Sequence, residues 1–172
     1  MFILPGNGGS GPNHWQSLWE LKHKNFIRVQ QRDWDYPVCS EWIENLENVV
    51  AQVDGEIVLV AHSLSCLLVS QWAAQTHRKV KGALLVAPPN PAEAVYPKAA
   101  TSFSAFPLKL LNFPSILVAS SNDIYGDLDF AKSCAIAWGS DFINIGEVGH
   151  INADSGIGLW STGFDLYQKL AL

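Results

Sequence analysis

The sequence predicts an α/β fold: a compact three-layer core with about six parallel strands in one sheet and helices on both faces. Three observations carry that expectation. Short apolar, β-branched runs alternate along the chain with segments of helical length and periodicity. Runs such as Ile57–Val60 and Gly82–Ala87 are continuously apolar, as strands buried on both faces are. Between the strand ending at Val60 and the apolar run Leu64–Ala74 there is almost no loop, so His62, Ser63 and Leu64 must make a whole strand-to-helix turn. At 172 residues, with no internal repeat, the chain reads as one domain over 1–172.

The elements follow in order. Phe2–Leu4 is a first strand. The glycine-rich loop Gly6-Asn7-Gly8-Gly9-Ser10-Gly11 comes next, and Asn13 is expected to cap a helix over His14–Lys22. Phe26–Gln30 is a second strand, and Ser40 is expected to cap a helix with Trp42, Leu46, Val49, Val50 and Val53 on one face. The third strand and its helix occupy Glu56–Ala74, and Gly82–Ala87 is a fourth strand. From Pro88 to Pro114 the pattern dissolves, with six of the nine prolines and an apolar group around Phe103, Phe106 and Leu108. A long apolar loop of this kind reads as a lid or pocket wall rather than a disordered link. Ser115–Ser120 and Asp141–Ile145 are the last strands. Asp127 caps a helix over Leu128–Trp138, and Ile157–Leu170 closes the chain as an amphipathic helix with Leu159, Trp160, Phe164, Tyr167 and Leu170 inward.

A serine in so tight a strand-to-helix turn is placed as a nucleophile elbow places it. The usual elbow is G-x-S-x-G; here Ala61 and Ser65 stand where the glycines would be. The alternative is that Ser63 merely caps a buried helix. The rest of the chain decides between these. Ser63 follows the third strand, Asp123 the fifth and His150 the sixth. In a parallel sheet those are the strand ends where ligands bind. A serine hydroxyl needs a base to become a nucleophile, and imidazole titrates near neutrality. His150 is therefore the expected base and Asp123 the acid that orients it, with Asp127 and Asp129 better suited to a helix start. The oxyanion is expected to bind the N–H of Leu64 and that of Asn7, with Gly8 the alternative to Asn7. His14 and Trp15 border that loop and, with Gly8, Phe103 and Phe106, are candidate substrate contacts. His62 is expected to point into the structure.

Gly6 to Gly11 also spells G-x-G-x-x-G, and Asp33 falls about 20 residues on, where a ribose-binding acid would be. Pro12-Asn13 interrupts the passage from the third glycine into the helix, so the dinucleotide reading is set aside. A hydrophobic content of 48% excludes a disordered chain. The net charge of −5, with no basic run, argues against nucleic acid and anionic membrane as partners. Met1 leads directly into Phe2-Ile3-Leu4-Pro5-Gly6, which lacks the form of a signal peptide, and no apolar run reaches membrane-spanning length. The three scattered cysteines suggest neither disulfides nor a zinc site. The expectation is a cytoplasmic protein with no metal and no cofactor, acting on a small-molecule ester or amide; a homodimer is compatible with the sequence.

Taken together, P-G-N-G-G-S-G-P-N-H-W-Q-S-L-W, R-D-W-D-Y-P, V-L-V-A-H-S-L-S-C, A-P-P, A-S-S-N-D and G-H-I-N-A-D-S-G resemble the small serine hydrolases related to retinoblastoma-binding protein nine and bacterial YdeN. The resemblance covers essentially the whole chain. It implies an α/β-hydrolase core without a large cap domain, a triad of Ser63, Asp123 and His150, and esterase-like activity of undefined substrate. The vertebrate relative is named for protein binding, so the alternative is a binding protein on a hydrolase fold with a vestigial triad. Ser65 departs from the family's elbow glycine.

Overall fold

The computed structural model describes Met1–Leu172. Its strands are β1 (Phe2–Leu4), β2 (Ile27–Arg28), β3 (Ile57–His62), β4 (Val80–Val86), β5 (Ser115–Ala119) and β6 (Asp141–Asn144). Its α-helices are α1 (Trp15–Lys22), α2 (Cys39–Ala51), α3 (Leu64–Ala73), α4 (Leu128–Trp138) and α5 (Ser161–Ala171). The strands form one six-stranded sheet, ordered β2-β1-β3-β4-β5-β6, and every neighbouring pair is parallel. The chain runs outward from β1 to β2, then returns to the other side of β1 as β3. The order therefore reverses between β1 and β3, and the crevice beyond their C-terminal ends is where such a sheet receives a ligand. No helix is long and apolar enough to cross a membrane.

Period-2 alternation sends neighbouring residues of each central strand to opposite layers. Leu59, Leu85 and Leu117 face Trp42 and Leu46 of α2, Leu67 and Trp72 of α3, and Trp138 of α4. Val58, Val60, Leu84 and Val86 face Trp15 and Trp19 of α1 and Leu170 of α5. Both faces of β3 and β4 are thus covered, which is why their sequences are continuously apolar.

Several element ends differ from the sequence expectation. The cap of α1 is His14 rather than Asn13: its Nδ1 accepts from the Gln16 N–H at 3.2 Å. Helix α2 starts at Cys39 behind Val38, which offers no side-chain cap, so Ser40 is already inside the first turn. Strand β2 is only two residues long, although the Val29 N–H still bonds to the Ile3 carbonyl. Helix α5 begins at Ser161, because Trp160 takes a left-handed φ of 40° and lays its indole over Gly163. A β-carbon at Gly163 would come within 2.2 Å of that ring. Leu159, expected inward, lies before the helix and is 46% exposed, while its carbonyl accepts the Trp19 indole N–H.

The segment from Pro88 to Pro114 is mostly not a lid. It forms a 3-10 turn at Lys98–Phe103, and Phe103 is buried against Trp42 of α2 with ring centroids 5.3 Å apart. Phe106 packs against Phe130 and Trp138 of α4. The Trp138 indole N–H donates to the Pro107 carbonyl at 3.0 Å, and Leu108 is exposed. Phe103, Phe106, Leu111 and Phe113 of this stretch complete the core along α2 and α4.

Candidate active site

Strand β3 delivers Ser63 to the crevice between β1 and β3. Ser63 has φ 54° and ψ −123°, a conformation that non-glycine residues rarely adopt. Its N–H bonds to the Val86 carbonyl at 2.8 Å, and its carbonyl accepts the Cys66 N–H, so the corner is tied on both sides. The turn closes with serine at position 65. Ser65 is buried and its hydroxyl donates to the Pro5 carbonyl at 2.6 Å, fastening α3 to the end of β1. The close approach falls on Gly6 instead. A β-carbon there would lie 2.8 Å from the Ser63 β-carbon and 2.9 Å from the His62 carbonyl oxygen.

The Ser63 hydroxyl is 2.8 Å from His150 Nε2. On the other side of the ring, Nδ1 is 2.8 Å and 3.0 Å from the two carboxylate oxygens of Asp123. A carboxylate can only accept, so Nδ1 carries the ring proton and Nε2 accepts from Ser63. Asp123 is 7% exposed and also accepts the Tyr125 N–H at 2.9 Å. Asp127 bonds to the Phe130 N–H as the cap of α4, the role its position suggested. Further bonds fix the spacing of the two loops. The Gly149 N–H donates to Asn122 Oδ1 at 2.6 Å, and the Val148 N–H donates to the Ser120 hydroxyl at 2.9 Å.

The glycine-rich loop lies beside the elbow. The Gly8 N–H is already used by the Trp34 carbonyl at 3.0 Å, whereas the N–H groups of Asn7 and Leu64 have no acceptor in the protein. Arg28 holds the outer side of this loop through the Gly9 and Ser10 carbonyls, and Glu20 pairs with it at 2.9 Å. With those carbonyls turned outward, amides are left for the crevice. Asp33 is exposed and closes its own turn, accepting from the Asp35 and Tyr36 N–H groups.

A cavity of about 260 Å³ opens over Ser63. The first loop contributes Asn7, Gly8, Ser10, Gly11 and His14 to its lining. The later loops contribute Tyr125, His150, Asn152 and Ala153, with Pro89 and Pro97 on the remaining side.

A model of the family described as Serine hydrolase matches residues 1–169. The chain belongs to this family. Among solved structures, this serine hydrolase is similar to a protein described as a YdeN-like hydrolase from Pectobacterium atrosepticum: 28% identity, TM-score 0.88, covering 99% of this chain and 91% of the other. The ydeN gene product of B. subtilis is 19% identical with TM-score 0.81, over 98% of this chain and 96% of its own. Est1E from Butyrivibrio proteoclasticus, solved with ferulic acid bound, shares the fold at 11% identity and TM-score 0.72, over 99% and 89% of the two chains. No curated protein sequence matches the chain significantly.

Not every residue expected at the site of this serine hydrolase lies there. Asn7, Gly8 and His14 line the cavity; Trp15, Phe103 and Phe106 do not. Trp15 points to the opposite side of the crevice floor, where its indole N–H donates to the Ile151 carbonyl at 2.8 Å. It braces the loop that carries His150 instead of touching the cavity. Phe103 and Phe106 are taken up by the core. His62 points inward as expected and adds a second brace: its Nε2 donates to the His150 carbonyl at 2.9 Å. His14, His62 and His150 form a row, with ring centroids 4.7 Å and 5.0 Å apart. Burial, with Arg28 and His150 nearby, pushes His14 down to about 3. Burial, with His14 and His150 beside it, also holds His62 well below the usual imidazole range. Both rings are neutral at pH 7. Tyr125, whose ring centroid lies 4.4 Å from that of His150, escaped the sequence reading. Its signal in the sequence is its place two positions after Asp123.

Proposed function

We propose that this serine hydrolase cleaves a small ester, and an amide less readily, through an acyl-enzyme formed on Ser63, with His150 as base and Asp123 as orienting acid. The observation that supports this best is the His150 ring, bonded at 2.8 Å to the Ser63 hydroxyl and at 2.8 Å to Asp123 at the cavity floor. Ser63 Oγ attacks the ester carbonyl as His150 Nε2 takes the hydroxyl proton. Asp123 keeps the ring in the required tautomer and stabilises the imidazolium. The carbonyl oxygen becomes an oxyanion and accepts from the free N–H groups of Leu64 and Asn7; one such donor typically stabilises the transition state by about 3 kcal/mol. Leu64 opens α3, so the helix dipole adds to its donor. The carbon–oxygen bond to the alcohol then breaks, and the proton on Nε2 passes to the leaving oxygen. Water attacks the acyl-enzyme, gives its proton to His150, and Ser63 recovers a proton as the acid departs. The cysteines are all free and buried, which suits a reducing cytoplasm.

Hydrolysis of 4-nitrophenyl acetate tests this reading. Ser63→Ala and His150→Ala are each expected to lower kcat by about 10⁴-fold or more, leaving only what the oxyanion donors and binding supply, while the circular dichroism spectrum is unchanged. A folded wild type that turns over no ester would point instead to a binding role on the same fold.

A further inference from the structure

Resting on the hydrolase reading, we propose that His62 and Trp15 are positioning residues for the reaction: between them they hold a strained bend at Ile151 that sets the His150 ring against Ser63. Three observations lead there. The first is the bend itself. Ile151 directly follows the base and has φ 49°. For a β-branched side chain the left-handed region is an outlier. The same loop places glycine at its other left-handed positions, Gly146, Gly149, Gly156 and Gly158. At position 151 it keeps a side chain that is fully buried, in the cluster that holds Trp15 and Trp160. Strain of this kind persists only where the surroundings over-determine it, and it gathers at active sites.

The second is what holds the bend. Neither His150 nor Ile151 belongs to a helix or a strand, so no ladder fixes their backbone. Instead, their two successive carbonyls each accept from a side chain of another element. His62 Nε2 donates to the His150 carbonyl at 2.9 Å, and the Trp15 indole N–H donates to the Ile151 carbonyl at 2.8 Å. A carbonyl only accepts, so the His62 ring proton is on Nε2. Both donors are themselves packed in place. The His62 ring neighbours those of His14 and His150, and the Trp15 indole lies edge to face with Trp19 and Trp160.

The third is where the clamp is anchored. His62 is the last residue of β3 and the one before Ser63. The bond from its ring therefore ties the backbone of the base to the strand end that carries the nucleophile. Asp123 fixes the His150 ring only at Nδ1. The 2.8 Å between the Ser63 hydroxyl and His150 Nε2 also depends on where the bend puts the His150 α-carbon. A misplacement of about 1 Å can cost about 10²-fold in rate. Both residues act through His150.

The test measures kcat and KM for 4-nitrophenyl acetate, with active sites counted by fluorophosphonate labelling taken to completion, so that unfolded molecules drop out. His62→Leu and Trp15→Phe each remove one N–H donor and keep an apolar side chain. Each is expected to lower kcat per site by about tenfold or more, with KM within about twofold of the wild type. His62→Gln, whose amide nitrogen can stand in for Nε2 as donor, should keep kcat within about threefold of the wild type. A merely structural role would lower the number of sites and leave kcat per site alone. Should His62→Leu fail to fold, Trp15→Phe decides by itself. Wild-type kcat per site in either donor-deleted variant, or a His62→Gln as slow as His62→Leu, overturns the proposal while the hydrolase reading stands. A wild type that neither hydrolyses the ester nor takes the label at Ser63 overturns both.

Discussion

Ser63 occupies a backbone conformation that costs a non-glycine residue about 1–3 kcal/mol. The Val86 carbonyl and the first turn of α3 hold it there. The same fixity makes the tautomer of His150 decisive. Asp123→Asn should keep the acceptor for the Tyr125 N–H, and so the fold, but its amide would donate to Nδ1 and leave the ring proton on Nε2. Ester hydrolysis is expected to drop about 10⁴-fold in kcat with an unchanged melting temperature; a loss below about tenfold would mean that Asp123 does not set the tautomer. The charge state of His14 and His62 bears on stability rather than on this step. Their folded pKa values are depressed, so below about 6.5 the unfolded chain takes up protons that the native state refuses. Stability is complete above that pH and falls as the pH drops toward about 3, the folded value for His14. By pH 5 the loss should be about 2 kcal/mol for His14, with His62 adding in the same direction. Urea midpoints measured from pH 7.5 to 5 should decline steeply in the wild type and less steeply in His14→Asn; a flat wild-type profile would show that these rings are not held neutral.

At the scale of the elements, the elbow depends on what faces it. Position 65 accepts serine because the tight contact lies across the crevice at Gly6, where a β-carbon would come within 3 Å of Ser63 and His62. Gly6→Ala should push that loop away and with it the Asn7 N–H. We expect a loss of about 10²-fold or more in kcat together with a lowered melting temperature, because the clash is with backbone and a β-carbon; wild-type turnover would show that the loop is not part of the oxyanion site. The sequence could not reveal this exchange, because nothing local to A-H-S-L-S shows which element packs over it. Helix caps were similarly obscured. His14 caps α1 with a ring nitrogen, and Val38 precedes α2 without a side-chain cap at all, so the usual capping residues nearby, Asn13 and Ser40, lie one residue before and two residues after the true caps. Where the capping chemistry was ordinary, as at Asp127, the reading and the structure agree.

For the whole molecule, the alternation of apolar runs was enough to read a parallel sheet, and the placement of Ser63, Asp123 and His150 after β3, β5 and β6 followed from it. Strand order was not legible, yet the reversal between β1 and β3 is what sets the glycine-rich loop beside the elbow. The stretch from Pro88 to Pro114 does put Pro89 and Pro97 on the cavity wall, but its aromatic residues lie elsewhere for a physical reason: apolar residues in an irregular segment satisfy a core as well as a pocket, and here Phe103 and Phe106 face α2 and α4. The cavity lacks those aromatic walls as a result. The central claim is that this whole arrangement activates one hydroxyl among many. Treating the folded protein with a fluorophosphonate probe and locating the adduct by peptide mass spectrometry tests it most directly. The account predicts a single adduct, on Ser63, absent from Ser63→Ala and from His150→Ala. An unlabelled wild type, or an adduct that persists in Ser63→Ala, would contradict it.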